Sequence, residues 1–225
     1  MRRNERPNVK ELTEALIRVF PEMDDTKRRV ALATYRRLAR GEPVPQREIA
    51  DEAGVAEAEV RRILGGWIGV YTDAQGRVIG FLGLAIPKTK HRFEVDGVRL
   101  HTWCAWDTLF LPELLGKTAR VESACESSGD PVRLTVSPTG VESVEPASPV
   151  VSFLAPDAWR FRQNIMQNFC HYIHFFRAHQ DGAAWIAEHP GTFLLTLDEA
   201  VELARRKNRA QFGALLRGTA ESEES

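Results

Sequence analysis

The sequence has few cysteines and no long apolar run. Its three cysteines among 225 residues are too few, and odd in number, for a disulfide framework. No apolar run nears the roughly 18 residues that a membrane-spanning helix needs, and the basic residues 1–7 are not followed by the apolar stretch of a signal peptide. We therefore expect a cytoplasmic protein with free thiols and no membrane partner.

The sequence also lacks an excess of either charge. Its 30 Lys and Arg residues nearly balance 31 Asp and Glu residues, whereas proteins that bind phosphate backbones usually carry a basic surplus. There is no Gly-rich phosphate loop, internal repeat or paired CxxC motif. The apolar fraction of 43% is that of an ordinary globular protein. Nucleic acid is thus not expected as a partner, while an enzyme is compatible with the composition.

The first part of the chain is predicted to be helical. One amphipathic helix ends before Pro21, and a second runs from about Asp25, its predicted N-cap, to Gly41. Residues 46–64 fit a helix-turn-helix, and the two apolar runs that follow fit a β-hairpin or wing. Residues 1–85 are therefore predicted to form a winged-helix-like domain with three helices.

This domain is not expected to recognise DNA. The first turn of its second helix-turn-helix element, where bases would be contacted, carries Glu57 and Glu59. Carboxylates there would repel phosphates, so the domain is interpreted as a structural platform.

Residues 86–225 are predicted to form an irregular antiparallel β core with flanking helices, which makes the fold class α+β. A type I′ turn signal at Asp96-Gly97 joins the first two strands, and more short strands are expected up to Val144. Helices are predicted at 157–168 and at 197–216, the latter capped near Asp198. The polar residues 220–225 are predicted to be frayed.

The densest chemical signal is the segment 103–109. Cys104 and Asp107 are three residues apart, a spacing that brings side chains together on a helical turn and would place a proton acceptor beside a thiol. A second interpretation makes Asp107 the N-cap of a helix over 108–115 and Cys104 a packing residue. Spacing alone favours this second interpretation.

Cys170 lies in a second cluster with His171 and His174. Cys and His are zinc ligands, but alternation along a strand would put Cys170 and His174 on one face and His171 on the other, which disfavours a zinc site. A cysteine hydrolase with His171 as its base has no supporting local signature.

The remaining cysteine and histidines receive lesser roles. Cys125 is interpreted as structural, and His101 as a residue that could support the site from the strand leading to Cys104. Surface or turn positions are predicted for three histidines: His91, His179 and His189.

The chain resembles the alkylmercury (organomercurial) lyase family. The resemblance rests on residues 100–109, on Phe169-Cys170 and on residues 174–176. Three further segments follow the family pattern in order: 116–121, 134–138 and 144–147. The match covers nearly the whole chain and is weaker before about Gly41.

The resemblance implies a carbon–mercury lyase whose catalytic and mercury-binding trio is Cys104, Asp107 and Cys170, with Cys125 structural. Thiolates suit mercury because it is a soft cation. The implied reaction is protonolysis of an organomercurial to a hydrocarbon and Hg(II), with no cofactor. External small thiols would extract the Hg(II), which would pass to a mercuric reductase.

Two other functions compete with this one. A soft-metal binding or transfer protein would keep the two thiols without cleaving the substrate, but it would gain little from the hard carboxylate of Asp107. A winged-helix metal sensor would need a basic recognition helix, which residues 56–59 do not supply.

Overall fold

The computed structural model describes residues 6–217; the tail predicted to be frayed, 220–225, lies outside them. The chain begins with four helices: α1 (Val9–Val19), α2 (Asp25–Leu38), α3 (Gln46–Ala53) and α4 (Glu57–Gly65). Asn8 and Glu11 form a capping box at the start of α1. The N-cap of α2 is Asp24 rather than Asp25, because the Asp24 side chain accepts a hydrogen bond from Lys27 N–H.

Eight strands then form one antiparallel sheet. They are β1 (Val70–Thr72), β2 (Val78–Phe81), β3 (Leu84–Ala85), β4 (His91–Val95), β5 (Val98–Thr102), β6 (Ala119–Ala124), β7 (Pro131–Ser137) and β8 (Gly140–Glu145). Their order is β1-β2-β3-β5-β4-β6-β7-β8. Strand β3, which ends at residue 85, is hydrogen-bonded to β5, which lies after it in the chain. The hairpin predicted in the first 85 residues is therefore part of the same sheet as the β core.

The hairpin predicted for the first 85 residues is present and the α+β class is confirmed, but four helices precede the hairpin rather than the predicted three. The assignment of that unit as a winged helix, and its boundary at 85, stay predictions.

The helix α5 (Asp107–Leu115) lies between β5 and β6 and is buried on nearly all sides. Later in the chain come β9 (Val150–Leu154), α6 (Ala158–Gln163), α7 (Ile165–Asn168), β10 (Phe175–Phe176), α8 (His179–Glu188), β11 (Thr192–Thr196), α9 (Leu197–Phe212) and α10 (Ala214–Arg217). A 3₁₀ turn spans Cys170–Tyr172. The chain order shows that the core helices and strands alternate irregularly.

The C-terminal region differs from its prediction in two details. The helix predicted over 157–168 is interrupted at Asn164, whose extended backbone ends α6 and whose side chain caps α7. The cap of α9 is Thr196, which forms a capping box with Glu199, rather than Asp198. Within residues 6–217 no helix has both the length and the apolar character needed to cross a membrane.

A second, three-stranded sheet of order β10-β9-β11 carries the Cys170 segment. Its central strand, β9, is apolar and largely buried. Ser152 in β9 holds the chain just after Cys170, since its Oγ donates to Tyr172 O at 2.8 Å and accepts from His174 N–H at 2.9 Å. The small sheet thus fixes one side of the candidate site.

Candidate active site

Cys104 and Asp107 are positioned by the junction between β5 and α5. The Thr102 hydroxyl donates to Cys104 O at 3.0 Å, and Trp103 N–H donates to Gly83 O at 2.9 Å. Asp107 is the first residue of α5. The junction is therefore fixed on one side by the sheet and on the other by a buried helix.

Cys170 reaches the same place through a contact between distant parts of the chain. Ala105 N–H donates to Ile173 O at 3.2 Å, which ties the Cys104 junction to the segment after Cys170. The assumption of a strand at Cys170 is wrong, because residues 170–172 form a 3₁₀ turn. Phe169 precedes the turn with an unusual backbone conformation, φ −140° and ψ −65°.

The three residues form one compact group. A sulfur from Cys104, a sulfur from Cys170 and a carboxylate oxygen of Asp107 all lie within 4.8 Å of one another. The residues are almost fully buried, with exposed fractions of 0% for Cys104, 5% for Asp107 and 4% for Cys170. Among residues 6–217 this is the one group of three or more Cys, His, Asp or Glu side chains that could hold a metal ion.

Asp107 is directed at Cys104 and does not cap α5. Its Oδ2 accepts a hydrogen bond from Cys104 N–H at 2.8 Å, and the N-cap position belongs to Trp106, which has no side-chain capping bond. The capping interpretation that spacing alone favoured is therefore wrong. Burial raises the pKa of Asp107 to about 6, against hydrogen bonds from the Cys104 thiol and N–H that lower it.

Both site thiols have raised pKa values. Burial raises the pKa of Cys104 well above its ordinary value, and its hydrogen bond to Cys170 raises it further. For Cys170 that hydrogen bond lowers the pKa, but burial and the nearby charge of Asp107 leave it above the ordinary value. Both thiols are therefore harder to ionise than an ordinary cysteine.

A glycine that the sequence analysis did not select lies against Asp107. A Cβ on Gly83 would lie 2.7 Å from Asp107 Oδ1, and the residue has φ +108°, a conformation that favours glycine. The preceding residue, Leu82, has φ +36°, and its carbonyl accepts a hydrogen bond from the buried Tyr35 hydroxyl at 3.0 Å. A glycine inside the second apolar run of the predicted hairpin was the available signal.

Buried aromatic side chains lie next in sequence to the site residues and pack against one another. Trp106 packs edge-on against Phe153, which in turn packs edge-on against Phe169, and the Trp106 Nε1–H donates to Ala200 O at 3.0 Å. Phe175 is buried in β10, and Trp103 lies against the β1–β2 hairpin. The pKa of Asp107 is raised by its own burial among the residues of this part of the core.

Lys207 in α9 is a further buried charge near the site. Its ammonium lies 3.8 Å from the centre of the Phe110 ring and 3.2 Å from Asn208 Oδ1. Burial lowers the pKa of Lys207 to about 7, opposed by the charges of Asp107 and Glu113. Sequence reasoning missed it because Lys is usually a solvated residue.

Of the three histidines predicted at surface or turn positions, two lie at such positions and one does not. His91 is not a surface residue: it is buried in β4, with Nδ1 2.9 Å from Ser123 Oγ. His101 interacts with the backbone of Thr89 and His91. His179 is exposed, as predicted, while His189 stacks on Trp185 at 3.8 Å between ring centroids.

No zinc site forms from the Cys170 cluster within the described residues. Cys170, His171 and His174 do not place one ligand atom each within 4.8 Å of one another. His171 is exposed, whereas His174 is buried with Nδ1 3.4 Å from Glu126 Oε2. The chemistry of Cys170 is therefore linked to Cys104 and Asp107.

Two soft sulfur donors and a proton-accepting carboxylate in a buried apolar site define a class of protein that binds soft metal and can transfer a proton beside it. Comparisons with known proteins identify the family. Residues 84–207 match the family model described as MerB, alkylmercury lyase, and the chain belongs to the alkylmercury lyase family.

The similarity to individual proteins extends beyond the matched segment. The chain is 44% identical over 168 residues to an alkylmercury lyase of Staphylococcus epidermidis, covering 75% of this chain and 76% of the relative. It is 44% identical to an alkylmercury lyase of Pseudomonas putida, covering 75% and 77%. The fold also matches the crystal structure of a mercury-bound form of MerB2, with a TM-score of 0.69 and 24% identity, over 89% of this chain and 98% of that chain.

Proposed function

We propose that this protein cleaves the carbon–mercury bond of organomercurials by protonolysis, giving a hydrocarbon and Hg(II). The observation that carries the proposal is the buried group of Cys104, Cys170 and Asp107, whose sulfur and oxygen atoms lie within 4.8 Å of one another. Two thiolates are good ligands for a soft metal, and the carboxylate beside them can accept and return a proton.

The first step is capture of the substrate by Cys170. Its thiolate binds the mercury of R–Hg–X, and the ligand X leaves as an anion. The neighbouring Cys104 thiol supports this order, because its interaction with Cys170 lowers the pKa of Cys170 against the burial that raises it. Cys104 is still protonated at this stage.

Asp107 then takes the proton of Cys104 as that sulfur also binds mercury. Coordination makes a thiol strongly acidic, and the carboxylate already interacts with both the thiol and the N–H of Cys104. The second sulfur donor weakens the carbon–mercury bond.

The carboxylic acid of Asp107 finally protonates the leaving carbon. The electron pair of the carbon–mercury bond becomes the carbon–hydrogen bond of R–H, Asp107 returns to its carboxylate, and Hg(II) is left between two thiolates with no change in oxidation state. A pKa of about 6 suits a group that both accepts and releases a proton near neutral pH.

The Hg(II) product requires an external acceptor in this proposal. Because two thiolates hold it in a buried site, small soft ligands such as low-molecular-weight thiols must exchange with Cys104 and Cys170. We infer no resident cofactor, and we propose that the extracted Hg(II) passes on to a mercuric reductase.

The proposal is tested by measuring benzene and Hg(II) released from phenylmercury in excess thiol. Asp107→Asn should lower kcat by about 10²- to 10⁴-fold, the usual contribution of general acid–base catalysis, and Cys170→Ser should abolish turnover. Asp198→Asn, at an exposed position in α9, is the matched control and should leave the rate unchanged. Tight mercury binding by the native chain without hydrocarbon release would contradict the proposal and indicate a metal carrier.

A further inference from the structure

Residues 6–216 contain one buried basic side chain of the Lys or Arg type and one buried carboxylic acid. These are Lys207 in α9, which is 1% exposed, and Asp107 at the start of α5. Ionised side chains are rarely buried this completely unless they are paired, because moving an isolated charge out of water is unfavourable. The roles proposed above use Asp107 and give Lys207 no part.

Three aromatic rings lie around the Lys207 ammonium. It is 3.8 Å from the centre of the Phe110 ring, 5.2 Å from that of Phe20 and 5.8 Å from that of Phe212. The face of an aromatic ring attracts a cation, and the attraction is stronger where water is excluded. These rings therefore favour the charged form of Lys207 against the burial that opposes it.

The surroundings of Lys207 are linked to Asp107 through α5. Phe110 lies three residues after Asp107, about one turn further along this helix. The neighbour of Lys207, Asn208, uses its Nδ2 to donate to Phe110 O at 2.9 Å and to Glu113 Oε2 at 2.8 Å. The position of Lys207 relative to Asp107 is thus fixed where α9 packs against α5.

The two buried groups act on each other electrostatically. Burial lowers the pKa of Lys207 to about 7, and the negative charges of Asp107 and Glu113 oppose this. In turn, the charge of Lys207 is one of the causes that lower the pKa of Asp107 against its burial. The strands β9 and β11 also pack against α9 but carry no charged residue, and the chain after α1 contributes Phe20. The negative charge acting on Lys207 therefore comes from α5.

In the proposed reaction the site keeps one net negative charge in each mercury-bound state. After capture, the Cys170 thiolate, the R–Hg cation and the Asp107 carboxylate sum to one negative charge, while Cys104 is protonated. Transfer of the proton from Cys104 to Asp107 does not change that sum. Protonolysis leaves Hg(II), two thiolates and a carboxylate, again with one negative charge. Such a charge is unfavourable in the core unless an opposite charge compensates it.

We propose that Lys207 is the counter-charge of this site, a positioning residue whose ammonium balances the negative charge that the site keeps throughout the reaction. The inference rests on the proposed function, since the charge count takes the ligand to be R–Hg and then Hg(II). With Lys207 charged, the site and its counter-charge are neutral together at every step. No step then has to bring an unbalanced charge into the core.

The first test changes the charge at position 207 and measures hydrocarbon release from phenylmercury. Lys207→Met removes the ammonium but keeps an unbranched apolar side chain, and kcat should fall about tenfold, which corresponds to one pH unit in the proton affinity of a neighbouring group. Lys207→Arg keeps the charge and should remain within about threefold of the native rate. Arg205→Met removes a charge from an exposed position of α9 and should leave the rate unchanged.

The comparison of the two Lys207 variants separates charge from packing. Equal losses of activity in Lys207→Met and Lys207→Arg, with unfolding midpoints like that of the native chain, would overturn the counter-charge.

A second measurement follows the charge of Lys207 itself and needs no turnover. The carbon-13 shift of Lys207 Cε is titrated in the native chain and in Asp107→Asn. The pKa of Lys207 should be lower in this variant by about one pH unit, because a negative charge that favours the ammonium is lost. Asp198→Asn, at an exposed position of α9, should leave that pKa at its native value. An unchanged pKa in Asp107→Asn would overturn the proposal even if Lys207→Met does not fold.

The two measurements together separate this inference from the proposed function. If the pKa of Lys207 falls in Asp107→Asn but the native chain releases no hydrocarbon, the lyase reaction is contradicted and the pairing of the two buried charges is supported. If the native chain releases hydrocarbon but neither the rate in Lys207→Met nor the pKa of Lys207 in Asp107→Asn changes, the reaction is supported and the counter-charge is overturned.

Discussion

The paired thiols of Cys104 and Cys170 and the single thiol of Cys125 are all buried, yet their surroundings act in opposite directions. Burial raises the pKa of the first two. At Cys125 burial also acts to raise the pKa, but hydrogen bonds outweigh it and the pKa lies below its ordinary value. Those bonds come from the Ser128 hydroxyl and from the N–H groups of Ser128, Arg177 and Ser127.

The difference shows that acidity alone does not make a thiol suitable for this reaction. Cys125 lies at the start of a turn closed by Gly129 N–H on Cys125 O at 2.9 Å, and it belongs to no group of three ligand-type side chains among the described residues. The other two thiols are less acidic, but each has a second sulfur and a carboxylate within reach. The arrangement of the donors distinguishes the site.

The sharpest test of this comparison removes one thiol from each region. Cys104→Ser should lower hydrocarbon release from phenylmercury by about 10³-fold or more, because the second sulfur and the proton donor are both lost. Cys125→Ala should change the rate by less than about threefold, while lowering the free energy of unfolding by roughly 1 kcal/mol through its lost contacts. A Cys125 variant as inactive as the Cys104 variant would place Cys125 in the chemistry.

The pH dependence of kcat/KM should show the titration of Cys170 and Asp107. Cys170 must be a thiolate and Asp107 a carboxylate to react, so kcat/KM should rise with pH. Because the pKa of Cys170 lies above its ordinary value and that of Asp107 is about 6, the slope of log kcat/KM against pH should be about one between pH 7 and 8 and about two below pH 6. A slope that stays near one at low pH would mean that Asp107 need not be ionised in the free enzyme.

A smaller effect is expected from the glycine that covers Asp107. Gly83→Ala should lower activity by about tenfold and the free energy of unfolding by roughly 1–3 kcal/mol, because its Cβ would meet Asp107 and its backbone conformation is unfavourable for alanine. Gly76→Ala is the control, since Gly76 also has positive φ, +76°, but has no atom within 4 Å of a Cβ. Equal losses of activity in the two variants would remove Gly83 from the site.

Local patterns predicted the parts of the site that local structure determines. The three-residue spacing of Cys104 and Asp107 placed a carboxylate near a thiol, and helical periodicity located α1 to α4. The position of Cys170 beside them depends on the pairing of Ala105 with Ile173, a contact between residues far apart in sequence that no local pattern encodes. The family resemblance supplied that link.

Other features were missed or wrongly predicted because their local sequence patterns were misleading. The segment Val150–Leu154 is apolar except for Ser152 and shows no polar–apolar alternation, so β9 was not predicted although it organises the Cys170 side of the site. His91 was predicted at the surface, but alternation with Phe93 and Val95 in β4 places it on the buried face. Gly83 and Tyr35 act through tertiary contacts with the Asp107 region, which become visible in the folded chain.

Gly83, which lies against Asp107, limits where the sequences of two relatives can be joined. The segment that matches the family begins at residue 84, whereas Gly83 and the Tyr35 hydroxyl that anchors Leu82 come before it. A chimera that joins the first 83 residues of one relative to the remainder of another would place a foreign surface against the carboxylate of Asp107. The two parts of the chain must therefore be inherited or exchanged as a matched pair.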